Sequence, residues 1–237
     1  MASEDVKIAD ALAAAARSIN SPTSVEATLD AIVETAKASL HGIDHVGVSI
    51  SHRDGRIETM SGTDQLVWEL DALQYELHEG PCDYAVRSEQ RVVVMEHARE
   101  EKRWPRYVPR AVELGLRSQM GLQLYVEDLT LGGLNLYSTS SDTIDPEVVH
   151  IAELFAAHAA LALGKAREVG ELMTGMLARK TIGQAIGIIM ERHQITEDRA
   201  FAFLSRASQT SNIKLRDIAQ EVVETAQRRG ERPQADT

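Results

Sequence analysis

The chain has a single cysteine, Cys82, in 237 residues. No intrachain disulfide can form, which excludes a small disulfide-stapled fold. Residues 79–85 place no Lys, Arg or His beside that cysteine, so it reads as a small buried hydrophobe rather than a reactive thiolate. The chain is also short of positive charge, with 25 Lys and Arg against 36 Asp and Glu. A net charge of −11 repels nucleic acid and anionic membranes at long range, and no membrane partner is expected. No apolar run approaches the roughly 20 residues that span a bilayer. The N-terminus, "MASEDVKIAD", lacks the basic start of a secretory signal, so a cytoplasmic location is the default expectation. Internal repeats and low-complexity tracts are missing too.

Recognisable chemistry is equally scarce. There is no P-loop, GxGxxG or GxSxG pattern. Gly132-Gly133 lies in a strand region without the following helix of a dinucleotide site. His41 and His45 are four apart, but Gly42 and a change of period separate them, so both read as surface residues. The carboxylates show no paired spacing. Catalysis, a metal site and an identifiable cofactor are therefore not expected.

What is present is a well-punctuated alternation of periods. Ile8, Ala11, Leu12, Ala15 and Ile19 sit at helical spacing, and after "NSPTS" a second helix is predicted from Thr23 or Ser24 to Leu40. "DHVGVSISHRDGRIETMSGT" alternates around Asp54-Gly55, a hairpin signal. "QRVVVMEHA" is a short buried strand and "WPRYVPRAVELG" a helix. "RSQMGLQLYVEDLTLGGLNLYSTS" supplies two more strands around a turn near Asp128. Five strands with helices before and after predict an α+β architecture: an antiparallel sheet with helices on one face and loops on the other. That arrangement leaves room for a ligand pocket, whose candidate lining is Trp104, Tyr107, Met120, Gln123 and Tyr125. The competing reading is that these five are core and surface residues of a degenerate domain with an empty pocket.

Asp145-Pro146-Glu147 starts the next helix as N-cap, N1 and first-turn acid. From there Phe155, Ala159, Ala162, Ala166, Val169, Met173, Met176, Lys180, Gly183, Gly187 and Met190 form a heptad seam about five heptads long. It is either a helix on its own sheet followed by a separate helix, or one long helix pairing with a second copy. Each glycine in it costs roughly 1 kcal/mol against alanine. The preferred account is that another helix, from the same unit or a second chain, packs on the stripe of Met176, Gly183, Gly187 and Met190. The alternative is RNA contact through bare backbone. Two further helices follow, the first capped by Thr196 with Ala200, Phe201, Leu204, Ala207 and Ser208 buried. The second buries Leu215, Ile218, Ala219, Val222, Val223 and Ala226. Residues 231–237 read as a disordered tail. The charge divides with the domains: residues 1–170 hold 15 basic against 27 acidic side chains, and residues 171–237 hold 10 against 9. Only the second part suits phosphates, and a helix-turn-helix in it lacks a polar, basic recognition face.

From Leu177 to Val223 the string "LARKTIGQAIGIIMERHQITEDRAFAFLSRASQTSNIKLRDIAQEVV" closely resembles the ANTAR domain. The first 165 residues resemble a GAF domain of the kind found before ANTAR domains in actinobacteria, through "LQYELHEGPCDYAV" and "GLRSQMGLQLYVEDLTLGGLNLYS". The resemblance implies a sensor domain over residues 1–165 and an RNA-binding domain over residues 166–230. It further implies a homodimer that binds hairpins in nascent mRNA and prevents termination, switched by a small molecule or by dimerisation. Arg179, Lys180, Gln184, Arg192, Lys214 and Arg216 are the candidate RNA contacts. The sequence departs from the family at Ile186, where Lys or Arg is usual, so a phosphate contact is lost. The unit's only aromatics, Phe201 and Phe203, look half core. An alternative is a ligand-binding or dimerisation module with altered RNA binding.

Overall fold

The computed structural model describes residues 13–22 and 24–230; Ile8, Ala11, Leu12, Thr23 and the tail 231–237 lie outside them. The chain divides into two compact units between Val169 and Gly170.

The first unit is built on five strands: β1 His45–Ser51, β2 Ile57–Gly62, β3 Val92–Met95, β4 Ser118–Val126 and β5 Leu129–Ser138. They pair antiparallel in the order β2-β1-β5-β4-β3. The fold is α+β, as the period changes predict. The β1–β2 turn is held by Asp54, whose Oδ1 accepts from Arg56 N at 3.0 Å, with Gly55 at φ +82°. The β4–β5 turn is two residues long, with Glu127 at φ +54°.

Strand alternation divides the sheet into two faces. Val46, Val48, Ile50, Met120, Leu122, Leu124, Leu134 and Leu136 are buried on one. A helical segment over residues 13–20, α1 Val25–Ser39 and the first part of α5 Pro146–His193 cover it. Ser24 caps α1 through its side chain, accepting from Ala27 N at 3.2 Å. Asp145 caps α5, accepting from Glu147 N at 2.8 Å.

The other face differs from the expectation of loops. It carries α2 Gln65–Leu77, α3 Pro81–Arg87 and α4 Tyr107–Glu113. Helix α3 is only seven residues long, and the buried stripe of α2 is interrupted by the polar Asp71 and Gln74, which hides its period in the sequence. Helix α3 lies directly on the sheet because β4 and β5 are bare beneath it. A Cβ on Gly121 would sit 2.5 Å from Pro81 C and 2.6 Å from Cys82 N, and one on Gly133 would sit 2.5 Å from Cys82 Sγ.

Helix α5 runs for 48 residues without a break at Gly164, Gly170 or Gly175. By length and composition it could cross a membrane, with a mean hydropathy of 1.3 over its most apolar stretch. This corrects the expectation that no segment approaches that length. The apolar character serves the sheet instead: Ala152, Phe155, Ala156, Ala159, Ala160 and Leu163 are buried in the first core. The heptad seam is therefore divided. Phe155, Ala159, Ala162 and Ala166 are buried, while Val169, Met173 and Met176 are 39, 59 and 64% exposed.

The second unit is formed by the later turns of α5 with α6 Glu197–Ser211 and α7 Leu215–Gly230. Its core is small: Ala185, Ile189, Ala200, Leu204, Ala219 and Val223 are buried, with Ile182, Ile186, Ile188, Met190 and Ile218 among those packed around them. Thr196 occupies the N-cap position of α6 but its side chain makes no capping bond. Asn212, in the left-handed region at φ +56°, ends α6. Phe201 is exposed rather than on the buried face.

Candidate functional site

In the first unit the five candidate pocket residues do not converge, which corrects that expectation. Met120 faces the α1–α5 core while Trp104 and Tyr107 belong to the core under α2 and α4. Met120 and Gln123 are an odd number of residues apart on β4, so the pleat sends them to opposite faces. Gln123 Nε2 donates to Thr130 Oγ1 at 2.9 Å, and the Arg91 guanidinium lies 3.7 Å over the Tyr125 ring.

A buried polar network fills the interior of the second face instead. Asp71, fully buried, is its centre. Thr59 Oγ1 donates to Asp71 Oδ2 at 2.6 Å, and Ser49 Oγ reaches the same oxygen at 3.4 Å. Asp71 Oδ1 accepts from Asn135 Nδ2 at 2.8 Å and from the Tyr137 hydroxyl. Gln74 Nε2 donates to Tyr137 OH at 3.0 Å, while Gln74 Oε1 accepts from Cys82 N and Gln119 Nε2, each at 3.0 Å. Tyr107 OH closes the chain on Gln119 Oε1 at 2.7 Å.

Every hydrogen-bond donor to Asp71 is neutral. Burial without a counter-ion pushes its carboxyl up to about 6, against the pull of the bonds from Thr59, Tyr137 and Ser49. Burial also pushes the Cys82 thiol far up, so it is no nucleophile. The sequence did carry a signal for this network. Asp71, Gln74 and Tyr75 are spaced three and four apart in "LVWELDALQYEL", among the apolar Val67, Leu70 and Leu73, one polar stripe on a core-facing helix. His45 is half-buried rather than a plain surface residue: its Nδ1 lies 2.6 Å from Asp64 Oδ2. His41 is exposed in a turn.

In the second unit all six candidate RNA contacts are exposed, but they fall into three places. Gln184 and Arg192 line one open cleft of ≈ 650 Å³ between α5 and α7, together with Gly187 and Val223. Lys180 lies one turn before Gln184 on the same side of α5, and Arg179 is turned about 100° from it. Lys214 and Arg216 are at the opposite end of α7 from the cleft, with Arg216 Nε 3.2 Å from Asp217. Among the described residues Arg179, Lys180 and Arg192 have no ion-pair partner.

The glycine stripe is not packed by its own unit. A Cβ on Gly183 or Gly187 would meet no atom within 4 Å, so the same-unit packing account is wrong. Met190 packs at the core edge, whereas Met176 is exposed. Ile186 packs against the core, so the apolar residue at that position has a packing role. Asp217, Glu221 and Glu224 on α7 are exposed, a poor surface for duplex DNA.

The GAF domain family model matches residues 22–164, and the ANTAR domain model matches residues 171–223. Among solved structures, the chain is similar to the GAF domain from Acinetobacter phosphoenolpyruvate-protein phosphotransferase. The identity is 16%, covering 70% of this chain and 98% of that one, with a TM-score of 0.54. It is also similar to the chromophore-binding domain of an unusual bacteriophytochrome from R. palustris, at 10% identity over 70% of this chain and 63% of that one, with a TM-score of 0.53. The Stigmatella aurantiaca phytochrome photosensory core module matches at 9% identity and TM-score 0.60, over 88% of this chain and 46% of that one. The chain thus spans less than two thirds of either phytochrome fragment. At these identities the likeness is one of fold. No curated protein matches the sequence.

Proposed function

Because the chain belongs to the GAF domain family over more than half its length and carries an ANTAR domain behind it, we propose that it is a transcription antitermination regulator. In this reading it acts by binding rather than by catalysis. The second unit binds hairpins in nascent mRNA, and the first controls it through a small molecule or dimerisation, in the cytoplasm. The observation that carries the reading is the ANTAR match falling on a unit whose α5 cations Arg179, Lys180 and Arg192 are exposed and unpaired among the described residues. Unpaired cations are free to neutralise phosphates, and each one engaged steepens the salt dependence of binding.

The active form is a homodimer paired through α5. Leu172, Met173, Met176 and Leu177 are each 59–64% exposed on that helix, and Gly183 and Gly187 leave room for close backbone approach. Such a row of large apolar side chains is unfavourable in water and favours a second copy.

Filter retention of a hairpin from the leader of an adjacent operon tests the RNA reading. Retention that falls with added salt, and falls further in Arg179→Ala and Lys180→Ala, supports it. Absence of specific retention at every salt concentration refutes it.

A further inference from the structure

Phe203 is 57% exposed on α6 and is not part of the core of its unit. Its ring lies against that of His193, with centroids 6.2 Å apart and planes inclined by 34°. The helical period puts Arg199 and Arg206, at i−4 and i+3, on the same side of α6 as Phe203. Phe203 lies on the flank of the buried stripe of the helix, about 60° around from Ala200 and about 100° from Leu204, with the two arginines on its solvent side. Both arginines are exposed and, among the described residues, neither has an ion-pair partner. Beyond Asp198, α6 contains no acidic residue. The result is an exposed aromatic ring with an exposed arginine about one helical turn before it and another one turn after it along α6, and an imidazole beside it.

Its position is unfavourable for a lone folded unit. An exposed phenylalanine loses the transfer free energy it would gain by burial, and two unpaired arginines one turn away exclude a purely apolar partner, since docking one would desolvate them uncompensated. The surface complements a ligand that combines a flat π face with negative charge on either side. An unstacked nucleobase in a single-stranded loop, with its flanking phosphates, has that chemistry. We infer that Phe203 is a stacking platform for one unpaired loop base of the RNA, and that Arg199 and Arg206 hold the phosphates on its two sides. The inference rests on the RNA reading above and adds a site to it, distinct from the cleft at Gln184 and Arg192.

The test uses the full chain and a hairpin recovered from a pool of common stem and random loop by retention on the wild-type protein. Phe203→Leu and Phe203→Ala are expected to weaken binding about ten- to hundredfold, with Phe203→Tyr close to wild type. Because the side chain is mostly exposed, the helical signal and thermal midpoint should be unchanged. Replacing loop nucleotides one at a time by abasic sites should reveal one position that costs the wild type as much as Phe203→Ala does and costs that variant nothing more. Arg199→Gln with Arg206→Gln should reduce the slope of log affinity against log salt by about two phosphate equivalents. Unchanged affinity in Phe203→Leu, or abasic costs identical in wild type and Phe203→Ala, overturns the inference and leaves the RNA reading standing. A change of oligomeric state with unchanged RNA affinity also overturns it, marking the patch as a protein contact. If the wild type retains nothing from the pool, the RNA reading falls and this inference falls with it.

Discussion

Asn135 Nδ2 donates to Asp71 Oδ1 at 2.8 Å, while the Oδ1 of the same amide is buried with no hydrogen-bond partner among the described residues. The pair joins a strand to α2 at the centre of the first unit. It sets an acceptor-only carboxylate, with only neutral donors, beside an unused acceptor. Deprotonated Asp71 is therefore a buried charge with no counter-ion, and a proton on it removes that charge.

Stability should consequently depend on pH through Asp71. Its folded value of about 6 stands above the ordinary 3.8, so the folded state binds the proton more tightly than the unfolded chain. The stabilisation is fully present below about pH 4 and is lost as pH rises through 6, amounting to about 3 kcal/mol. Asp71→Asn should remove that slope and raise the unfolding midpoint at pH 7.5. Both tryptophans, Trp68 and Trp104, lie in the first unit, so their fluorescence in urea titrations at pH 5, 6 and 7.5 reports on it alone. An unaltered slope in the variant would show that Asp71 is not the titrating group.

Acid loss should run the other way through Asp44. Burial pushes its carboxyl up, but bonds from Ser140 Oγ, Thr139 N, Ser138 Oγ and Ser140 N outweigh it and hold it at about 2. Its stabilising effect is present above pH 4 and declines as pH falls toward 2. Asp44→Ala should lower the midpoint at pH 7 and converge on the wild type near pH 2. Parallel curves down to pH 2 would contradict this.

Gly121→Ala should destabilise the first unit by about 1–3 kcal/mol, the range for overpacking. The methyl would meet the Pro81 and Cys82 backbone, which cannot rotate away as a side chain can. Gly170→Ala, in the helix α5 where a Cβ meets nothing within 4 Å, should by contrast be neutral or stabilising. Equal midpoints for the two variants would mean that α3 does not rest on β4 as described.

If the proposed homodimer pairs through α5, Leu172→Glu with Met176→Glu should convert it to a monomer, halving the mass seen by light scattering toward the 26.1 kDa of one chain. Gly187→Leu, at a position where an added Cβ would meet nothing within 4 Å, should weaken the proposed dimer. If Gly187→Leu keeps its oligomeric state and loses RNA instead, the bare backbone is a nucleic-acid contact.

Periods alone located the five strands, the α5 start at Asp145-Pro146-Glu147 and the three C-terminal helices. Each of these rests on local physics: alternation, capping chemistry and helical spacing act within a few residues. The ANTAR resemblance was legible for a related reason, as its motif is continuous in sequence.

The tertiary structure decided which faces those elements present. Spacing could not say whether Phe203 turns inward, because it sits on the flank of the buried stripe of α6, where packing and not period sets exposure. Nor could it show that the Gly183–Gly187 stripe is open to solvent, since emptiness is a property of the neighbours. The polar network around Asp71 unites residues from β1, β2, α2, β4 and β5, its hydrogen-bonded pairs lying up to 66 positions apart. Each of its members is unremarkable alone. Only antiparallel pairing and the descent of α2 onto the sheet bring them within hydrogen-bond distance and take them out of water. Burial there turns an ordinary aspartate into a carboxyl held well above its usual value, an outcome that depends on solvent exclusion rather than on residue type.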